Sequence, residues 1–380
     1  RQDCTFSEEC SEFSTREIST RTRSTTFHFT LNITDGLKKL FYILIVLFIL
    51  TQSGCGWVRI AMRSVGRSIT DSPEIAWNKI QNPVKDSVRL SALWGGQSTV
   101  LVQMYDKVIL FDPLFNDYIL GVLPRLRETA LEYDSIKKLD LIAVSHAHMD
   151  HLSFSSLDKL SKMHPQTALI FPEGAEEFLP DFNLDMIRAD TIGAFSGHYT
   201  AKPVYINGLK VIPVFALHDG GRYGFDTYLW NVQGYCGYIV QYKDLTVYFA
   251  GDTGYDDKAF KEIGKQFKID LALIPIGPCR NCEGKGMWFH TSSYEAVKLF
   301  LDIKAKYMIP IHYGTLQYFG SPDIPAEALK NIISNPENYF SDNNSAGLKD
   351  YLINGVKILN YGGQIIFDSV ENNSINELQF

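Results

Sequence analysis

Four potential metal ligands fall within six residues of this chain: His146, His148, Asp150 and His151, in the run Ser145-His146-Ala147-His148-Met149-Asp150-His151. Imidazole and carboxylate are the ligands a catalytic zinc takes when it keeps a position open for water. No helical or strand period accounts for the crowding. A helix would pair His146 with Asp150 and leave His148 and His151 on other faces. A loop wrapped around a cation brings all four together. Single residues of the same types recur downstream, each after a predicted strand: His218 after 209–215, Asp252 after 245–250 and His312 after 306–311. His28, His164 and His198 show no such partner pattern and are read as surface or loop residues.

The rest of the chain must position these groups. The metal-ligand run follows Leu141-Ile142-Ala143-Val144, an apolar stretch that reads as a buried strand. Strand patterns also cover 88–93, 98–104 and 107–111, with Tyr105-Asp106 as a tight turn and Asp112-Pro113 ending the third. A loop and a helix are expected over 114–138. A helix follows at 153–161, capped by Ser153 or Ser155. Strands at 204–206 and 209–215 form a hairpin over Asn207-Gly208, a strong turn signal. Further strands are expected at 234–242, 245–250, 270–276, 306–311, 356–359 and 364–367, with helices at 292–301, 326–333 and 346–353.

The 380 residues carry 36 Lys and Arg against 43 Asp and Glu, a net charge of −7. A broad electrostatic attraction to nucleic acid is therefore not expected. Six cysteines are too few for a disulfide scaffold. Cys279 and Cys282 would form a disulfide if the domain is exported, or stay free thiols if it is cytosolic. Residues 1–36, rich in Ser, Thr, Arg and Glu, read as a disordered or non-native leader. Residues 37–55 follow a signal-peptide plan: Lys38-Lys39, the apolar run 41–50, then small residues before Cys55. This resembles a bacterial lipoprotein signal, which would make Cys55 a lipidation site and place the chain at the cell envelope. The alternatives are an uncleaved membrane anchor, or neither, which would leave the chain cytoplasmic. Residues 56–86 read as an arm, 87–368 as the catalytic domain and 369–380 as a polar tail.

The order His-x-His-x-Asp-His, then a lone His, a lone Asp and a lone His, resembles the metallo-β-lactamase fold superfamily over about Val88 to Phe367. The resemblance implies an α/β fold, an αββα sandwich. It implies that His146, His148 and His218 hold one metal, that Asp150, His151 and His312 hold a second, and that Asp252 bridges them. Zinc is the expected ion, two per chain. Such a pair can clamp a phosphoryl or carbonyl oxygen and generate hydroxide near neutral pH, so no Ser or Cys nucleophile is needed. Asp150 would also accept the proton. Asp112 would support the metal loop from behind.

Within the superfamily, Trp94-Gly-Gly-Gln-Ser-Thr-Val-Leu-Val-Gln, Phe111-Asp-Pro-Leu-Phe, Phe249-Ala-Gly-Asp-Thr-Gly-Tyr, His290 and Ile311-His-Tyr-Gly-Thr resemble the N-acylphosphatidylethanolamine-hydrolysing phospholipase D branch. That branch implies a phosphodiesterase acting on a phospholipid, with His290 at the active site. Gln97, which stands where the family commonly has His, and Tyr313 are expected to touch substrate. The aromatics Tyr223, Phe225, Tyr228 and Trp230 are expected to lie beside the site, and dimers occur in the branch. The alternative is a lactonase, or a phosphodiesterase of a soluble phosphorylated metabolite. There Arg222 and Arg280 would bind an anion near the metals.

Overall fold

Apolar residues on both faces of the first strands dictate a layered molecule. In β3 (Lys107–Phe111), Ile109 and Phe111 belong to one buried cluster and Val108 and Leu110 to another. A strand buried on both faces must sit between two layers. The computed structural model shows those layers and describes residues 73–119, 123–192, 197–222, 226, 233–340, 345–367 and 375–377. The leader, the apolar run at 41–50, Cys55 and the start of the arm lie outside these residues. So do Tyr223, Phe225, Tyr228 and Trp230.

The first sheet is built from β1 (Leu90–Gly96), β2 (Thr99–Met104), β3, β6 (Leu141–Ala143), β7 (Ala168–Pro172), β8 (Asp185–Ala189), β15 (Gln364–Phe367) and β16 (Ile375–Glu377). Its order is β16-β15-β1-β2-β3-β6-β7-β8. The second, in the order β14-β13-β12-β11-β10-β9, uses β9 (Val204–Ile206), β10 (Leu209–Val214), β11 (Gly237–Tyr242), β12 (Leu245–Phe249), β13 (Leu271–Pro275) and β14 (Tyr307–Ile311). A short ribbon pairs β4 (Tyr118–Ile119) with β5 (Leu123–Pro124). The two sheets face each other across the larger apolar cluster, where Phe111 stacks on Phe249 at 4.5 Å. The described α-helices are α1 (Phe154–Met163), α2 (Asp257–Gln266), α3 (Ser293–Ile303), α4 (Ile324–Ser334) and α5 (Ser345–Gly355). Leu157 and Leu160 of α1 pack on the outer face of the first sheet. The result is a mixed α/β sandwich in a single domain.

Parallel pairing sets where the chemistry can be. β3, β6, β7 and β8 run parallel, as do β12, β13 and β14. Their carboxyl ends therefore lie along common edges, which is where open α/β sheets place ligands. The metal-ligand run leaves β6 there, and Asp252 and His312 follow β12 and β14.

Three sequence expectations are corrected. Among the described residues of 114–138 no α-helix forms, only a single 3-10 turn at Tyr133–Ser135. Arg125, fully buried, donates to the carbonyls of Leu114 and Arg127 and to the Tyr361 hydroxyl, and this holds the segment irregular. Val356 makes a single bridge to Met308 rather than opening a strand, because α5 runs to Gly355. Helix α2 was not expected at all. Asp256 caps it through a bond from the Ala259 amide, and its buried residues Ala259, Phe260 and Ile263 form one stripe. The Asn207-Gly208 hairpin, by contrast, is present, with both residues at positive φ.

Gly264 lies inside α2, where alanine would normally be favoured by about 1 kcal/mol. Here a Cβ would come within 2.3 Å of the Asp302 carbonyl oxygen and 2.7 Å of Ile303 Cα. Gly264→Ala is expected to destabilise the fold by about 1–3 kcal/mol, because backbone must move to admit the methyl. Urea denaturation measures this, and a stabilised variant would contradict the close helix approach.

Candidate metal centre

Asp112 anchors the site. It sits at the end of β3, fully buried, with φ +39°. Its Oδ1 accepts the Ser145 amide at 2.7 Å. Its Oδ2 accepts the Ser145 hydroxyl and His151 Nδ1, each at 2.7 Å. Because Ser145 spends its one hydroxyl proton on Asp112, its oxygen accepts from His146 Nδ1 at 2.9 Å. The Nε2 atoms of His146 and His151 are thereby left as bare lone pairs. His218 Nδ1 donates to the Phe289 carbonyl at 3.0 Å, and His312 Nδ1 to the Gly277 carbonyl at 2.9 Å. Their Nε2 atoms are left bare in the same way. Fixing a ligand's far nitrogen is how proteins orient metal-binding imidazoles.

These bare nitrogens converge. His148 Nδ1 lies 2.9 Å from His146 Nε2 and 3.2 Å from His218 Nε2. His312 Nε2 lies 3.2 Å from both His151 Nε2 and Asp150 Oδ2. Asp252 Oδ2 lies 3.0 Å from His312 Nε2 and 3.2 Å from His151 Nε2. Two triads result, His146/His148/His218 and Asp150/His151/His312. Asp252 groups with His146 and His151 on one side and with His218 and His290 on the other. Facing lone pairs repel, and at most one proton fits between any two of these nitrogens. A cation among them satisfies all at once. Asp252 Oδ1 and His148 Nε2 are buried without a hydrogen-bond partner. The donor set therefore fits a divalent ion.

Electrostatics split the set: burial keeps His146 and His218 neutral, whereas the carboxylates around His151 and His312 outweigh burial and draw a proton onto those rings, one that a cation would displace. Burial pushes His146 and His218 well below the usual imidazole range, and neighbouring imidazoles add to it. Neutral imidazole is the ligating form. Burial would raise Asp150, but the His151 and His312 rings outweigh it and hold the carboxyl well below its usual range. Burial would lower His312, but the Asp252 and Asp150 carboxylates outweigh it and raise the ring to about 9.

His290 comes into the cluster from the loop after β13. Its Nδ1 is 3.5 Å from Asp252 Oδ2 and its ring is 5.6 Å from that of His312. Burial lowers its pKa to about 4. Gln97 is fully buried, and its amide nitrogen lies 2.9 Å from Asp150 and 3.0 Å from His312 Nε2. It orients ligands. Tyr313, expected to touch substrate, instead stacks on Trp94 at 4.5 Å in the core. His312, just past β14 and at φ +61°, turns the chain so that its own ring enters the site while Tyr313 goes to the core. The tyrosine that reaches the site is Tyr318, whose hydroxyl donates to Asp150 at 2.8 Å. Sequence reasoning missed it, since only the turn through Gly314, at positive φ, brings it back. Arg222 is corrected too. Its guanidinium donates to the carbonyls of Ala147 and Leu152 and lies 3.9 Å from the Phe154 ring, bracing the metal loop. Arg280 lies over Phe319 at 5.1 Å.

Cross-sheet bonds hold the two sets of loops in register. The Cys236 amide donates to the Ser145 carbonyl at 3.0 Å, Tyr238 Oη to the Val144 carbonyl at 2.8 Å, and the His312 amide to the Gln97 carbonyl at 3.0 Å. Among the described residues, His164 ends α1 and His198 is exposed, both apart from the cluster. Cys279 and Cys282 form a disulfide. Asp112→Asn keeps the shape but turns a donor toward His151. It is expected to weaken metal affinity about 10–100-fold, read by competition against a chelating dye. Unchanged affinity would remove Asp112 from its orienting role.

The comparisons agree with this geometry. A family model described as a β-lactamase superfamily domain matches residues 107–313. A relative in Caenorhabditis elegans, N-acyl-phosphatidylethanolamine-hydrolyzing phospholipase D 1, is 28% identical over 238 residues, covering 60% of this chain and 64% of that protein. A metal-dependent hydrolase of Sulfolobus acidocaldarius is 32% identical over 228 residues, covering 58% of this chain and 83% of its own. Among solved structures, a possible metal-dependent hydrolase from Veillonella parvula superposes with a TM-score of 0.53 at 13% identity, covering 74% of this chain and 100% of its own. With its ligand run, its paired sheets and this matched span, the chain belongs to the metallo-β-lactamase superfamily of metal-dependent hydrolases.

Proposed function

We propose that the chain is a binuclear, zinc-dependent phosphodiesterase acting on a phospholipid, in the manner of N-acylphosphatidylethanolamine phospholipase D. The observation that carries the binuclear part is the pair of ligand triads with Asp252 reaching both. The imidazole-rich, thiolate-free donor set favours zinc. The phospholipid part draws support from the 28% identical relative of that name. When bound, two such ions would polarise a phosphoryl oxygen and bring the pKa of a water near 7.

The chain's own residues divide the remaining work. His146, His148 and His218 would hold one ion and Asp150, His151 and His312 the other, with Asp252 within reach of both sets. Asp150 is the proposed proton acceptor. Its carboxylate is aimed by the Gln97 amide and the Tyr318 hydroxyl. His290, with a buried and unpartnered Nδ1, is the proposed contact to the phosphodiester. Because Arg222 is committed to the metal loop, His290 and the cations would be left to meet the phosphate. The run at 41–50 and Cys55 are proposed to hold the protein at a membrane. No helix among the described residues is long and apolar enough to cross one.

Hydrolysis by the full chain, with metal counted in parallel, tests this. The panel is N-acylphosphatidylethanolamine, phosphatidylethanolamine, bis-p-nitrophenyl phosphate and a lactone. Release of phosphatidic acid is expected, abolished by chelator, restored by zinc and lost in His148→Ala and Asp150→Asn. Turnover of the lactone alone would sink the phosphodiesterase reading. Tyr318→Phe is expected to keep full metal content while lowering kcat/KM by roughly tenfold, the loss of one hydrogen bond to a charged group. A normal kcat/KM would show that Tyr318 does not aim Asp150.

A further inference from the structure

The loop between β13 and α3 ends in a tip of unusual composition. Met287 and His290 exchange backbone hydrogen bonds of 3.0 and 3.1 Å, leaving Trp288 and Phe289 as a two-residue turn. Turns of this kind normally carry Gly, Asn, Asp or Ser. Here Trp288 is 88% exposed and Phe289 38% exposed. The tip's backbone, however, is firmly held. The Phe289 carbonyl accepts from the ligand His218. The Trp288 carbonyl packs on Gly254, where a Cβ would come within 2.2 Å of it. Ser292 caps α3 directly behind, and the Cys279–Cys282 disulfide closes the base. A rigid support thus holds Trp288 in water, with Phe289 partly covered by the His218 ring at 6.1 Å, which is unfavourable unless another phase takes the indole.

The charges on the loop indicate which phase. Arg280 and Lys285 are exposed on it, in a chain whose net charge is −7. The loop's one acid, Glu283, keeps its charge but is turned toward α4 and the turn after it, accepting from Asn331 at 2.9 Å and Tyr339 at 2.9 Å, so the two cations outnumber it. An amphipathic indole beside basic residues suits the interface of an anionic bilayer. We propose that the loop 279–290 docks on an anionic lipid surface, with the Trp288-Phe289 tip entering the interface and Arg280 and Lys285 meeting the headgroups. This deepens the phospholipid reading and rests on it. Docking there would bring headgroups to the mouth beside His290 and His218, so the substrate need not leave its bilayer fully.

The test uses the full, metal-loaded chain and vesicles with brominated acyl chains, made of phosphatidylcholine with or without phosphatidylglycerol. Brominated anionic vesicles are expected to quench part of the tryptophan emission. Trp288→Phe should abolish that part while retaining binding, and Trp288→Ala should also weaken partitioning. The double variant Arg280→Gln/Lys285→Gln should lower partitioning into anionic vesicles by on the order of tenfold and leave neutral vesicles unaffected. Metal content, unchanged in all three, reports an intact site without reference to turnover. Equal quenching in Trp288→Ala overturns the proposal, as does a Trp288→Ala chain that loses a dimer in sedimentation while vesicle quenching stays the same. Absence of phospholipid turnover would count against the substrate alone, because quenching is read independently of catalysis.

Discussion

A buried carboxylate is the constraint on which the site depends. Asp112 is removed from water entirely, and a carboxylate in such a place is costly unless every lone pair is matched. It is matched by the Ser145 amide, the Ser145 hydroxyl and His151. Each of those bonds has a second consequence. The amide bond fixes where the metal loop leaves β6. The hydroxyl bond decides which nitrogen of His146 faces inward. The imidazole bond does the same for His151. One ionised group thus sets the backbone path and two ligand tautomers, and the strand pairing of β3 with β6 is what puts it there.

The second sheet repeats the device with neutral groups. The carbonyls of Phe289 and Gly277 orient His218 and His312. Both carbonyls belong to the loop after β13, so that segment serves two ligands that follow other strands. Arg222 adds a brace from the opposite direction, tying the loop after His218 back to the carbonyls around the metal-ligand run. The metal ligands are therefore held by a closed circuit of loops rather than by any one element.

Much of this was legible in the sequence because ligand type and strand rhythm are local signals. The run at His146–His151 and the lone His218, Asp252 and His312 after their strands could be read from neighbours, while the role of Asp112 came from the family resemblance. What escaped depends on distant contacts. Tyr318 reaches Asp150 only through a turn after β14, and nothing in Leu316-Gln317-Tyr318 announces it. Arg222 looked like an anion ligand because its type suits one, yet three groups remote in sequence take its guanidinium. The irregular path of 114–138 follows from the burial of Arg125, which no periodicity reveals. Helix α2 had an available signal in Asp256 followed by an amphipathic stripe, and its interior Gly264 obscured it.

The cross-sheet bonds have a consequence for folding. Each ligand triad draws residues from both sheets: His218 joins His146 and His148, and His312 joins Asp150 and His151. Neither sheet alone can offer a complete coordination sphere. A cation therefore has a high-affinity partner only after the sheets have docked. By mass action it stabilises that docked state over any half-formed one. The long sequence separations involved make the docking a late, slow closure. Metal would then add to the apolar cluster that already holds the sheets together, so a metal-starved chain would open more readily at the edge where the ligands meet.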